Sequence, residues 1–253
     1  MTVDPELSQS AYGLRFEWGL SGANAVADEA DIAVVVDVLS FTTTLTVAMD
    51  AGIDVIPCEW RDDRAAQLAK QFDATLAVGR SAAAPGHLSL CPATIRSAPA
   101  PARLVLPSPN GSTIARALTG RVGSCVGASM RNAATIGQWL RAEHPDAVIA
   151  VIAAGEQWPD GSLRPAAEDL WGAGAVITEL LESGVDDASP EAVIAANAWR
   201  DVAPNVGSEL RRCASGQELA AMGHPEDVTI AAEIGSSTCV PLLRDHMFVD
   251  AAR

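Results

Sequence analysis

The sequence is poor in basic residues: 17 Lys and Arg stand against 32 Asp and Glu, which gives a net charge of −15 over 253 residues. A surface of that sign repels the phosphate backbone of nucleic acids and the headgroups of anionic membranes. We therefore expect neither nucleic acid nor a membrane as a partner. An anionic substrate would need local arginines, backbone amides or a bound cation to overcome the general negative field.

The five cysteines are scattered and odd in number, and no Cys-x-x-Cys pair occurs. This pattern predicts neither a disulfide framework nor a zinc site, and it favours a reducing, cytoplasmic location. Cys91 is a conceivable nucleophile, but a lone cysteine in an Ala-rich loop is more often a bystander. The four histidines are isolated in the sequence and are expected to be structural or exposed; they are His87, His144, His224 and His246.

Several other features are missing. The N-terminus lacks the basic and apolar regions of a signal peptide, and no apolar run approaches the roughly 20 residues that span a bilayer. There is no Walker A loop, no GxGxxG after a predicted strand, no GxSxG elbow and no HExxH. Aromatic residues make up only 4% of the chain, so Ala, Val, Leu and Ile must form the core.

Apolar runs alternate with segments of helical period, which is typical of an α/β protein. Residues 33–38 and 148–153 read as strands buried on both faces, and residues 165–182 as the longest helix, with Pro165 in its first turn. Residues 61–71 read as an amphipathic helix, and the Pro- and Ala-rich residues 82–102 as an irregular loop. We predict one three-layer α/β domain over residues 1–253. A two-lobed division near residues 99–103 is the alternative.

Three strand-to-helix loops carry candidate chemistry. In the first, Asp37 ends a buried strand, and Thr42 and Thr43 begin the next helix, whose free N–H groups and dipole favour an anion. The alternative is a structural one, in which Thr42 caps the helix and Asp37 is an ordinary turn residue. An acid within an apolar run favours function slightly, because an unpaired buried carboxylate is unfavourable.

The second loop contains Asn110, Gly111 and Thr113 and could form another anion-binding turn, although a plain turn is the simpler interpretation. The third places Glu168 and Asp169 in the first turn of the long helix. They could bind Mg²⁺, which prefers carboxylate oxygens, or merely complement the helix dipole. The three loops together are more informative than any one of them.

These segments resemble the 2-phosphosulfolactate phosphatase family, the ComB-like proteins. The resemblance runs in collinear order from about residue 30 to 242. It is carried by residues 37–44 (DVLSFTTT), 108–113 (SPNGST), 127–133 (GASMRNA), 154–174 and 215–241. No single stretch is very specific, but the ordered set is.

The resemblance implies a three-layer α/β/α fold with a mixed, largely parallel sheet. It also implies a Mg²⁺-dependent hydrolase that converts 2-phosphosulfolactate to sulfolactate and phosphate, an early step of coenzyme M synthesis. The implied metal or acid–base residues are Asp37, Glu168 and Asp169. The implied phosphate-loop residues are Thr42, Thr43, Asn110, Gly111 and Thr113.

The chain also departs from the family pattern. Ser40, followed by Phe41, stands where members commonly carry Arg, and residues 86–92 only weakly match a family stretch containing an Asp and an Asn. We therefore expect Arg80 or Arg164 to neutralise the other anionic group of the substrate. The alternatives are a phosphatase for a different phosphorylated hydroxy acid, or a non-catalytic anion-binding protein. A homo-oligomer is compatible with the sequence.

Overall fold

The computed structural model describes residues 4, 6–59, 64–80, 83 and 86–253. Nine strands form one mixed sheet in the order β1-β7-β2-β6-β10-β11-β3-β5-β4, and β8 and β9 form a separate ribbon. The strands are β1 (Leu14–Trp18), β2 (Ile32–Val36), β3 (Asp54–Glu59), β4 (Thr75–Leu76), β5 (Arg103–Ser108), β6 (Ser124–Ala128), β7 (Ile149–Ala153), β8 (Glu156–Gln157), β9 (Leu163–Arg164), β10 (Pro241–Arg244) and β11 (Met247–Asp250).

Helices connect most of these strands. They are α1 (Gly19–Val26), α2 (Phe41–Asp50), α3 (Ala65–Gln71), α4 (Pro92–Ser97), α5 (Gly111–Leu118), α6 (Ala133–Glu143), α7 (Ala167–Glu182), α8 (Pro190–Val202), α9 (Val206–Arg212), α10 (Ala214–Ala221) and α11 (Pro225–Ala231).

The sheet contains two parallel groups joined by an antiparallel hairpin. Strands β1, β7, β2 and β6 pair in parallel, as do β3, β5 and β4. Between the two groups lies the β10–β11 hairpin, which meets β6 through the pair Leu242–Val126 and β3 through Phe248–Val55. The sheet is therefore mixed and mostly parallel, as the family resemblance implied.

Both faces of the sheet are covered, because alternate residues of the central strands point to opposite sides. Val34 and Val36 of β2 belong to one hydrophobic core together with residues of α6, α7 and α8. Ala33 and Val35 of the same strand belong to a second core together with residues of α1, α2 and α5. The three-layer α/β/α prediction is confirmed.

Several boundaries differ from the sequence predictions. The long helix begins at Ala167 with Ala166 as its N-cap residue, so the prediction that Pro165 occupies its first turn is wrong. The strand predicted over residues 33–38 ends at Val36, because Asp37 already turns into the next loop. The irregular segment predicted over residues 82–102 contains α4, although residues 82, 84 and 85 lie outside the described part.

One more difference concerns the start of α3. Residues 61–63 of the helix predicted over 61–71 also lie outside the described part, which shows α3 from Ala65. No helix in the described ranges is long and apolar enough to cross a membrane.

Candidate active site

Asp37 joins the first two of the candidate loops. It follows β2, and its side chain is 5% exposed. One carboxylate oxygen accepts a hydrogen bond from the Phe41 N–H at 3.2 Å, and the other accepts from the Gly111 N–H at 2.8 Å. The carboxylate therefore holds the first residues of α2 and α5 side by side.

Gly111 makes this approach possible. A Cβ atom at position 111 would lie 2.5 Å from the Phe41 ring and 2.8 Å from an Asp37 carboxylate oxygen, both closer than atoms can pack. A larger residue would therefore separate α5 from Asp37. Gly111 was predicted to belong to the phosphate loop. In the structure its backbone N–H donates to the Asp37 carboxylate.

Asp169 brings in the third loop. Its two carboxylate oxygens accept hydrogen bonds from the N–H groups of Val38 at 2.7 Å and Gly155 at 2.8 Å. These residues follow β2 and β7, which are neighbours in the sheet. The start of α7 is thereby tied to the loops after both strands, and all three predicted segments meet at one place.

Two glutamates complete a cluster of carboxylates, which we call the acidic cluster: Asp37, Glu156, Glu168 and Asp169. Glu168 is 2% exposed, and its charge contributes to raising the pKa values of Asp37, Glu156 and Asp169. Glu156 was not among the predicted site residues, although its place in the Gly-containing loop after β7 was a usable signal.

The acidic cluster holds more negative charge than its surroundings stabilise. Burial, followed by the charges of Asp37 and Glu168, raises the pKa of Asp169 well above its usual range. Burial also raises the pKa of Asp37, against the lowering effect of its two backbone hydrogen bonds. Burial and the charge of Asp37 raise the pKa of Glu156 to about 7. A proton or a cation would relieve this repulsion.

The threonines of the two helix starts behave differently from one another. Ser40 is the N-cap residue of α2, so the alternative in which Thr42 caps this helix is wrong. The Thr42 hydroxyl instead donates to the Asp37 carbonyl at 2.8 Å and accepts from the Asp37 N–H at 3.0 Å. The Thr43 hydroxyl is buried and has no hydrogen-bond partner. Thr113 donates to the Pro109 carbonyl at 2.9 Å. Of these three threonine hydroxyls, that of Thr43 is the one without a partner.

The two predicted arginines approach the cluster from different sides. Arg80 donates to the Ser40 hydroxyl at 2.7 Å, and its charge lowers the pKa of Asp37; its buried Nε has no partner. The tertiary structure thus brings an arginine to Ser40. Arg164 donates to the Ser215 hydroxyl at 3.2 Å and lies 5.8 Å from the centre of the Trp158 ring.

A cleft opens beside the acidic cluster. It has a volume of about 290 Å³, and its walls include Trp18, Pro109, Asn110, Thr113, Glu156 and Leu163. The Asn110 side chain donates to a carboxylate oxygen of Glu156 at 3.0 Å, which orients that group in the cleft wall. A small polar molecule in this cleft would contact Glu156.

A second group of reactive side chains lies near Arg80. Cys91 Sγ and His224 Nδ1 are 3.7 Å apart, and together with Asp227 they offer ligand atoms that all lie within 4.8 Å of one another. His224, which is isolated in the sequence, thus meets Cys91 and Asp227, because folding brings together residues that are far apart in the chain. All five cysteines are free, which agrees with the prediction of no disulfide framework.

The predicted metal ligands Asp37, Glu168 and Asp169 belong to one cluster, but they do not offer three ligand atoms within 4.8 Å of one another. Within the described ranges, only the Cys91, His224 and Asp227 group brings three ligand atoms within 4.8 Å of one another. In the acidic cluster, the Asp37 carboxylate accepts from the Gly111 N–H at the start of α5, whereas the Asp169 carboxylate accepts from the Gly155 N–H in the loop after β7.

Comparison with known proteins agrees with the resemblance. The family described as 2-phosphosulpholactate phosphatase matches residues 22–246. A protein of Parasynechococcus marenigrum, named probable 2-phosphosulfolactate phosphatase, is 30% identical over 226 residues, which cover 83% of this chain and 88% of that relative.

Proposed function

The chain belongs to the 2-phosphosulpholactate phosphatase family, whose named activity is that of a phosphoric monoester hydrolase, and from this premise we propose that it hydrolyses 2-phosphosulfolactate to sulfolactate and phosphate with Mg²⁺. The observation that carries the proposal is the buried acidic cluster with a buried donor without a partner, Arg80 Nε, near Asp37; the Thr43 hydroxyl in the first turn of α2 is a second such donor. Such donors favour an anion, and the carboxylates favour a cation.

Side-chain hydrogen-bond donors would bind the substrate. The phosphate would accept hydrogen bonds from Thr43 and from Arg80 near the start of α2, where the helix dipole also favours negative charge. Arg164 stands on another side of the acidic cluster, where its charge lowers the pKa of Glu156. It would pair with the sulfonate or carboxylate of the substrate.

Proton transfer is assigned to Glu156. Its pKa of about 7 leaves a substantial protonated fraction at neutral pH, which suits a general acid. Because it lines the cleft and accepts a hydrogen bond from Asn110, it is oriented to give its proton to the oxygen that leaves the phosphorus. Asn110 would therefore act as a positioning residue.

The donor set fits Mg²⁺ in its chemistry. Mg²⁺ is usually held by one or two carboxylates and keeps several waters, so it does not need three carboxylates within a short distance. Each carboxylate oxygen has two lone pairs. Both oxygens of Asp169 and Oδ1 of Asp37 retain one after their backbone hydrogen bonds, whereas Oδ2 of Asp37 also accepts from the Ser108 hydroxyl at 3.5 Å. One or two of Asp37, Glu168 and Asp169 would hold the ion directly and the remainder through its waters; when bound, the ion acts as a Lewis acid on the phosphoryl oxygens.

One observation favours a second candidate, a phosphatase for another phosphorylated hydroxy acid. Arg80 reaches Ser40 from a different part of the chain, so its guanidinium is presented differently from an arginine at position 40 itself. A change in the position of a bidentate anion-binding group changes which anion fits best.

Phosphate release by the full-length protein separates these candidates. We expect release from 2-phosphosulfolactate that requires Mg²⁺ and stops when EDTA is added. For 2-phospholactate, which lacks the sulfonate, kcat/KM should be at least about 100-fold lower, because the partly buried Arg164 would be left without its anionic partner. An Arg164→Met variant should lose selectivity between the two esters, and the exposed Arg200→Met is the matched control.

Three results would count against the proposal, each against a different part. Equal kcat/KM for the two esters would reject the sulfolactate specificity and favour the second candidate. Undiminished release in EDTA would reject the role of Mg²⁺. The absence of release from every ester tested would leave the anion-binding alternative.

A further inference from the structure

The group formed by Cys91, His224 and Asp227 joins parts of the chain that are 133 residues apart. Cys91 directly precedes α4, His224 directly precedes α11, and Asp227 lies in the first turn of α11. Cys91 and Asp227 are 1% exposed, and His224 is partly exposed. The group is therefore nearly closed to solvent and open on the histidine side.

One atom of this group lacks a partner. Asp227 Oδ1 accepts a long hydrogen bond from the Ala93 N–H at 3.5 Å, whereas Oδ2 is buried with no hydrogen bond. A buried carboxylate oxygen without a partner is strongly unfavourable unless a cation or a donor completes it. The unpartnered oxygen and the neighbouring thiol and imidazole thus define a place for a positively charged ligand.

We propose that Cys91, His224 and Asp227 bind one divalent cation of the zinc class, with a fourth position left for water or another small ligand. Zinc–sulfur and zinc–nitrogen bonds of about 2.3 and 2.0 Å at a tetrahedral angle place the two ligand atoms about 3.5 Å apart. The observed distance between Cys91 Sγ and His224 Nδ1 is 3.7 Å. For this pair little movement is needed, and the Asp227 ligand atom lies within 4.8 Å of both.

The donor types select the metal. One sulfur, one imidazole nitrogen and one carboxylate oxygen suit Zn²⁺ or Co²⁺, whereas Mg²⁺ requires oxygen ligands. The site is thus chemically distinct from the acidic cluster. The nearby charge of Arg80 opposes a cation, but the thiolate and carboxylate supply two negative charges that offset it.

A metal explains Cys91 better than a nucleophilic role does. Burial raises the pKa of the Cys91 thiol, so without a metal the sulfur stays protonated and is a weak nucleophile. When the metal–sulfur bond forms, the thiol proton is released to solvent. No characteristic spacing of its ligands marks this site in the sequence.

Binding of Co²⁺ to the full-length protein, first stripped with a chelator, tests the proposal. We expect one equivalent to bind with the intense visible bands of a tetrahedral site and a thiolate-to-metal charge-transfer band, both removed by adding Zn²⁺. Cys91→Ser should abolish the charge-transfer band, and Asp227→Asn should weaken Co²⁺ binding at least about 100-fold, since changes in mere second-layer contacts already weaken metal sites 10- to 100-fold.

The matched control is Cys125→Ala, which removes another buried thiol, in β6, and should leave the spectrum unchanged. The absence of a thiolate band in the unaltered protein would overturn the proposal, whatever the variants do. Persistence of the band in Cys91→Ser would also overturn it. Both readouts are independent of phosphatase activity, so failure of the proposed function would not affect them.

Discussion

Two groups of charges in this molecule are built in opposite ways. In the acidic cluster, the carboxylates repel one another, and burial raises the pKa of Asp169. In the other group, which we call the Arg131 network, Arg131 binds Glu233 and donates to Asp50 at 2.7 Å. There the hydrogen bond from Arg96 lowers the pKa of Glu233.

The difference distinguishes a ligand-binding site from a structural network of ion pairs. Arg131 is 2% exposed, yet its Nε also finds a partner, the Thr46 hydroxyl at 3.0 Å, so the network is satisfied within the chain. The acidic cluster is not satisfied, and a protein keeps such repulsion only when something else, such as a ligand, balances it. Removing one charge should therefore have opposite consequences in the two places.

The largest effect is expected for Glu168→Gln. Glutamine has the shape of glutamate, and the hydrogen bonds that Asp37 and Asp169 accept from backbone N–H groups remain in place. We expect kcat/KM to fall on the order of 1000-fold, or about 4 kcal/mol, because the negative charge used to bind the cation is lost. The melting temperature should stay the same or rise, since a repelled charge is removed. If the variant lost stability but kept its activity, the acidic cluster would be a structural element and not a site.

The second effect concerns the Arg131 network. Arg131→Met should lower the free energy of unfolding by about 3 kcal/mol, because Asp50 and Glu233 lose their shared cation. Activity per folded molecule should not change. Chemical denaturation of the variant, beside Arg200→Met as an exposed control worth at most about 1 kcal/mol, measures the difference. Equal losses in the two variants would show that the network is not structural.

The third and smallest effect is that of Glu156→Gln. We expect kcat/KM to fall about 100-fold at neutral pH, since general acid catalysis contributes factors of this order. In the unaltered protein, kcat/KM should decline as pH rises past about 7, the pKa of Glu156, and this decline should vanish in the variant. A decline that persists in Glu156→Gln would assign the acid role to another group.

Stability gives an independent readout for the same variant. The pKa of Glu156 is higher in the folded protein, about 7, than its ordinary value of 4.5, so the folded state binds more protons between these values. Its contribution to stability is present below pH 4.5 and is lost as pH rises to about 7. The melting temperature of Glu156→Gln relative to the unaltered protein should therefore increase over that range.

Local patterns were enough to predict much of the fold. The β-branched run before Asp37 and the run at residues 148–153 became β2 and β7, because an apolar run of that length is stable only between two layers. The β10–β11 hairpin was not foreseen. Its place between β6 and β3 depends on pairings with strands more than 100 residues away in the chain.

The chain's local chemistry by itself determined that acids and hydroxyls follow the strands, because each strand, turn and helix start is encoded within a few residues. Only the tertiary structure decided which of these groups meet. It added Glu156 to the acidic cluster, brought Arg80 to Ser40, and placed His224 beside Cys91. Such contacts depend on how distant segments pack, and no periodicity or spacing in the sequence records them.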